Sequence, residues 1–358
     1  MSNTRRGKRR KRKELKQQKE IENLSKLASL QNLYNAALQS FRLVFWKQSI
    51  QRFRLSLLFR IHQARKDILN GKDIRQGFIC FRIFERGKKR EIQSLHFYER
   101  FIQKWLCKYV LLPKFGNTLI KENSASQKGK GTTFASKTLE KHLREFLIKH
   151  NTGYILTVDF SKYFENIKHE PLIQFYNDNF QDERLKNLLI KAITAYEKGL
   201  GLGSEVSQFN AIIYINKIDH FIKNHYKYYG RYMDDSYIIS ENKEKLQEFT
   251  KVLFKKYEEM GIVLNFKKTR IVPLTQYFTF LKTRYKIDGK KIIKKPCRSS
   301  ITRARRRYKG MIKLYKKGVM SKDEISRSFV STKGSMKRRN ARRSMYKLEK
   351  EVLSDIFI

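Results

Sequence analysis

Two aspartates stand side by side between apolar runs in GRYMDDSYIIS, residues 230–240. Adjacent carboxylates repel, while the aromatic and β-branched residues around them favour strand. The segment therefore reads as strand, turn, strand, with Asp234 and Asp235 at the tip. Earlier in the chain YILTVDFSKYF is a second apolar run, and it ends on one carboxylate, Asp159. If these strands are neighbours in one antiparallel sheet, three carboxylates meet at one edge. Converging acids need a cation, and oxygen donors beside a phosphate substrate point to Mg²⁺. Two such ions, roughly 3.5–4 Å apart, activate an attacking hydroxyl and stabilise a leaving pyrophosphate. Taken alone, an Asp-Asp pair reads first as an ordinary hairpin tip, because Asp is a common turn residue.

Charge narrows the partner. The 358 residues carry 80 Lys+Arg against 33 Asp+Glu, a formal net charge of +47. Such an excess marks a polyanion, nucleic acid before an anionic membrane. No apolar run is long enough to span a bilayer, and the charged start has no apolar core, so neither a membrane segment nor a signal peptide is expected. A hydrophobic content of 40% is ample for a packed core. Cys80, Cys107 and Cys297 are too far apart for a disulfide frame or a zinc site, and a reducing cytoplasm is the expected location.

The pattern along the chain divides it into four segments. Residues 1–20 read as a basic arm, and 21–150 as helices followed by a strand pair around Gly87. HFYERFIQKWLCKYVLLPKF predicts a helix ending before Pro113. Residues 151–284 mix strands and helices, with IVLNFKKTRIV and YFTFLKTRYKI as strands and Gly261 capping the helix before them. Residues 285–358 read as basic helices, one of them opened by a Ser321–Glu324 capping box.

Several blocks, in order, resemble a reverse transcriptase. ERGKKREIQS resembles the strand pair of the fingers, and ENSASQKGKGTTFA the glycine loop and helix that follow. VDFSKYF resembles the first palm motif, LGSEVSQ the template- and nucleotide-positioning loop, and YMDD the second metal motif. GIVLNFKKT resembles the block with a late lysine near the phosphates, and FTFLK the primer grip, with Lys282 in place of the usual glycine. The resemblance implies an α+β right-hand polymerase with fingers, palm and a helical thumb. It implies that Asp159, Asp234 and Asp235, with the Phe160 backbone, bind two Mg²⁺ ions, with Mn²⁺ able to substitute. Arg90, Phe164, Gly203, Gln208 and Lys268 would face the nucleotide, and Phe280 and Leu281 the primer. Phe164 would pack under the sugar and exclude a 2′-hydroxyl, favouring deoxynucleotides; its plainer reading is core packing. Leu202 and Gln208 depart from the usual Gln and Pro of retroviral and group II intron enzymes, and the form Gly203-x-x-x-Ser207-Gln208 resembles diversity-generating retroelement and bacterial defence-associated lineages.

The implied partners are an RNA template, a cognate noncoding RNA being the first expectation, together with dNTPs, a DNA product and accessory proteins, but no membrane. Arg305, Arg306 and Arg307 in the thumb would contact RNA phosphates. No segment has the spacing of a nuclease or the size of an RNase H domain, so those tasks are expected of other proteins. Antiphage defence is the first expected role and mutagenic copying by a diversity-generating retroelement the second. The alternative of a different class is a non-catalytic RNA-binding protein on a polymerase scaffold.

Overall fold

The structure is a computed structural model that describes residues 23–42, 44–85 and 88–353. The basic arm at 1–20 and the Gly87 turn lie outside the described residues. The chain divides into two units: 1–131 with 160–225 and 252–264, and 132–159 with 226–251 and 265–358.

In the first unit, helices Leu30–Phe41, Leu57–Leu69 and Phe97–Trp105 pack through apolar residues at helical spacing. Leu33, Ala37, Phe101 and Trp105 are fully buried. The Trp105 indole does not lose its hydrogen bond, because Nε1 donates to the Leu27 carbonyl at 2.7 Å. Strands β1 (Phe78–Glu85) and β2 (Lys88–Leu95) form an antiparallel hairpin in the expected place. The helix expected to stop before Pro113 does not stop. It widens into a π-helical turn, Leu106–Leu111, and continues as Leu112–Phe115. Proline lacks an N–H and its ring crowds the carbonyl one turn back; a wider turn before it accommodates both.

The second unit holds the sheet that carries the acids. Strands β3 (Tyr154–Asp159), β4 (Tyr229–Tyr232), β5 (Asp235–Ser240) and β6 (Arg270–Pro273) lie in the order β4-β5-β3-β6, all antiparallel. Helix Thr132–Lys149 covers the sheet, and Leu139, Leu143 and Phe146 join Ile155, Tyr237 and Ile239 in one core. Tyr237 also explains a glycine. Its ring lies across Gly230, its partner in the neighbouring strand, and a Cβ there would meet the phenol oxygen at 2.7 Å. That oxygen lies 3.0 Å from His142 Nδ1 on the covering helix.

Residues 288–296, read from sequence as helical, are instead the end of one strand, a turn and a second strand. Strands β7 (Phe278–Phe280), β8 (Thr283–Asp288) and β9 (Lys291–Pro296) form a three-stranded sheet. IVLNFKKTRIV is a strand only from Arg270; residues 265–269 form a turn that brings Asn265 and Lys268 back to Asp159. Beyond Cys297 the chain is helical, as Arg298–Lys316, Lys322–Lys337 and Arg342–Leu353 around Tyr308, Phe329 and Leu348. The Ser321–Glu324 capping box is formed with both reciprocal hydrogen bonds. Gly261, at φ +72°, ends helix Lys243–Glu259. Among the described residues no helix is long and apolar enough to cross a membrane.

Candidate active site

The apolar runs that end in acids do become neighbours. Antiparallel pairing sets Asp159 at the end of β3 directly opposite Asp235 at the start of β5. Opposed residues in such a pair have Cα atoms about 4.5–5.5 Å apart. Asp234 occupies the β4–β5 turn beside them. Met233 opens that turn at φ +55°, a conformation that costs an L-residue about 1–2 kcal/mol and that glycine usually fills. The buried Arg231 guanidinium supports it, Nη1 donating to the Met233 carbonyl at 3.2 Å.

The electrostatics follow from this crowding. Burial pushes the Asp235 carboxyl up to about 7, and Asp234 and Asp159 add to the rise; Lys268 and Lys282 oppose it. Burial raises Asp234 too, again helped by Asp159. Asp159 is held by two neighbours from the 265–269 turn. Lys268 Nζ lies 2.8 and 2.9 Å from its two carboxylate oxygens, and Asn265 Nδ2 donates to Oδ2 at 2.9 Å. The Asp159 backbone is fixed as well: its carbonyl accepts from the Asn265 N–H at 2.8 Å, and its N–H donates to Thr269 Oγ1 at 3.3 Å.

Among the described residues no three His, Cys, Asp or Glu side chains are arranged to hold a metal ion as they stand. The donor set is nonetheless all oxygen, three carboxylates at one strand edge, which suits a hard divalent cation. The sequence placed Lys268 near phosphates; here it sits on a proposed metal ligand. Sequence reasoning missed Asn265 and Thr269, and no local pattern marks them.

The primer-grip residues separate. Phe280 is 2% exposed and packs on Tyr237 at 5.1 Å, so its side chain belongs to the core under β5. Leu281 and Lys282 make the turn into β8 at φ +47° and +62°. A left-handed backbone at Lys282 accounts for a glycine being usual there. Lys282 also exerts a positive potential on Asp235.

Other predicted positions lie in the first unit. Phe160 bridges Leu264 and is buried against Tyr163 and Tyr257, at 5.1 and 4.9 Å. Phe164 is half-buried on the short helix Tyr163–Asn166, and its carbonyl accepts from the Leu200 N–H at 2.7 Å. Gly203 adopts φ +98° just before helix Glu205–Tyr214. Gln208 Oε1 accepts from Ser126 Oγ at 3.3 Å, joining two blocks that are distant in sequence. Arg90 stands opposite Ile83 in the hairpin; its side chain is not among those described.

A buried polar chain supports the Gly203 loop. The Ser204 hydroxyl donates to Gln103 Oε1 and accepts from the Ser207 N–H, while Gln103 Nε2 donates to Glu99 at 3.2 Å. Burial pushes the Glu99 carboxyl up to about 7. Only the i,i+4 spacing of Glu99 and Gln103 on helix Phe97–Trp105 could have signalled this.

In the C-terminal helices Arg306 is exposed. Arg305 pairs with Glu351 at 3.1 Å, and Arg307 binds the Tyr308 hydroxyl at 2.6 Å. Two of the three predicted phosphate contacts thus have partners inside the bundle.

Residues 84–292, more than half of the chain, match the family model described as Reverse transcriptase (RNA-dependent DNA polymerase). No curated protein matches the sequence.

Proposed function

The chain belongs to the reverse transcriptase family, and on that footing we propose that it extends DNA at the β3–β5 edge, with Asp159, Asp234 and Asp235 holding two Mg²⁺ ions. It is an RNA-directed DNA polymerase, a nucleotidyltransferase that takes a nucleic acid template and dNTPs. The observation that supports the site is the register pair Asp159–Asp235, with Asp234 in the adjoining turn. Bound there, divalent ions would ease loss of the attacking hydroxyl's proton and stabilise the negative charge on the leaving pyrophosphate. Lys268 is exposed enough to leave Asp159 and meet a phosphate, and Asn265 then keeps Asp159 oriented. Phe164 gates the sugar. The basic arm and the C-terminal helices hold the RNA.

The template in this reading is a dedicated noncoding RNA, and the role is antiphage defence. The Gly203-x-x-x-Ser207-Gln208 form fits a defence-associated lineage. Leu202, which is exposed and has no hydrogen-bonding group for template or base pair, supports a second reading, mutagenic copying by a diversity-generating retroelement. Extension of a DNA primer on an RNA template by the purified chain tests the reaction. Sequencing of the RNA that accompanies the protein from its native host tests the template. One dominant species encoded beside the gene is expected. A spread of cellular RNAs with none enriched overturns the dedicated template and leaves a general polymerase.

A further inference from the structure

Away from the carboxylates, the second unit contains an open cavity of about 310 Å³ lined by Glu140, Arg144, Ile292, Lys294, Lys337 and Arg338, with Asn340 at its edge. Three separate segments supply the cations. Arg144 comes from the helix that covers the sheet, Lys294 from β9, and Lys337 and Arg338 from the end of helix Lys322–Lys337. Four cations therefore face a single carboxylate.

That carboxylate is already engaged. Glu140 accepts from Lys294 Nζ at 2.8 Å and lies 3.7 Å from Arg144. Arg338 Nη1 donates to a neutral group, the Thr133 hydroxyl, at 3.4 Å. Next to it the half-buried Arg339 guanidinium is pushed below its ordinary value by burial, and Arg338 adds to the effect. Like charges held together in one concave site are costly without a counter-ion. Guanidinium groups matched to a tetrahedral oxyanion relieve that cost well, because their N–H forks bind phosphate in pairs.

We propose that this cavity is a phosphate-binding site, whose occupant ties the C-terminal helices to the helix behind the sheet. The phosphate comes either from a nucleic acid backbone or from a free polyphosphate. The site shares no residue with the Asp159–Asp235 edge, and its test reads binding rather than nucleotide addition, so the two readings fail separately.

The test uses the full chain with Arg144→Gln and Arg338→Gln combined. A control carries Lys251→Gln and Lys255→Gln, an equal charge change at exposed positions outside the cavity. Melting temperatures verify folding, and Lys337→Gln serves if the double variant melts early. In one arm, a short RNA hairpin is titrated by fluorescence anisotropy across salt. A backbone phosphate predicts about tenfold weaker binding for the cavity variant and under threefold for the control. The log–log salt slope should also flatten by roughly 0.7–0.9 per lost contact. In the other arm, inorganic tripolyphosphate is titrated by calorimetry, and a free polyphosphate predicts saturable binding that only the cavity variant loses. A difference between the two variants in either arm supports the site and names its source. Equal behaviour of the two variants in both arms overturns it.

Discussion

Lys268 Nζ lies 2.8 Å from Asp159 Oδ1 and 2.9 Å from Oδ2, so one ammonium spans both oxygens of a carboxylate proposed to bind metal. The pair is lopsided: the Lys268 side chain is 64% exposed and that of Asp159 10%. The lysine can swing away, whereas the aspartate is fixed by Asn265 and Thr269. On the proposed metal site, Lys268 and a divalent ion would therefore compete for one ligand. Lys268→Gln should tighten Mn²⁺ binding by about tenfold, as expected for removing one nearby cation at partial exposure. Primer extension should fall all the same, since a group proposed to meet the phosphates is lost. Calorimetric titration with Mn²⁺ measures the first effect; unchanged or weaker affinity would show that the ammonium does not compete.

Phe164 offers a test of sugar choice. It is half-buried, and its carbonyl accepts from the Leu200 N–H. Phe164→Val should raise the kcat/KM ratio of ribonucleotide to deoxynucleotide at least tenfold. An unmoved ratio assigns the ring to packing alone.

Gly199 supports the same segment from beneath. It sits at φ +66°, and a Cβ would meet the Phe164 carbonyl oxygen at 2.3 Å. Gly77, at φ +78°, has nothing within 4 Å of its would-be Cβ. Gly77→Ala should cost only the left-handed strain, about 1–2 kcal/mol. Gly199→Ala should cost clearly more, because backbone must move. Equal losses of melting temperature would contradict the contact.

How far the sequence disclosed this site depends on how local each signal was. Asp159, Asp234 and Asp235 end or interrupt apolar runs, so their position on strand ends was legible. The capping box at Ser321 was legible for the same reason, being complete within four residues. Asn265 and Thr269 were not, since their role exists only where β3 meets a turn far along the chain. The β8–β9 hairpin carried a plain signal, the two-residue loop Gly289-Lys290 between apolar-alternating residues, glycine in first place. Lysines on both strands hid it, because a dense basic run invited a helical reading. Lys282 shows the converse: its departure from glycine was visible, but only the φ of +62° gives the reason for glycine there.

Glu99 predicts a pH effect on stability. Its carboxyl is raised to about 7 by burial, against an ordinary value near 4.3–4.5. Between those values the folded chain keeps a proton that the unfolded chain has released. Stability therefore falls as pH rises from about 4.5 to 7, by up to about 1.4 kcal/mol per pH unit. Glu99→Gln keeps the hydrogen bond to Gln103 in neutral form and should flatten that part of the melting profile. A profile as steep as that of the unaltered chain would place the proton elsewhere.

The central claim is that three carboxylates at the β3–β5 edge run the reaction while basic surface holds the RNA. Asp235→Asn keeps shape and removes one charge from that edge. Primer extension on an RNA template in Mg²⁺, measured beside RNA affinity on the same preparation, separates the two functions. The account predicts extension reduced at least a thousandfold, a loss of roughly 4 kcal/mol of transition-state stabilisation, with RNA affinity within about threefold of the unaltered chain. Extension within tenfold of the unaltered chain would contradict it.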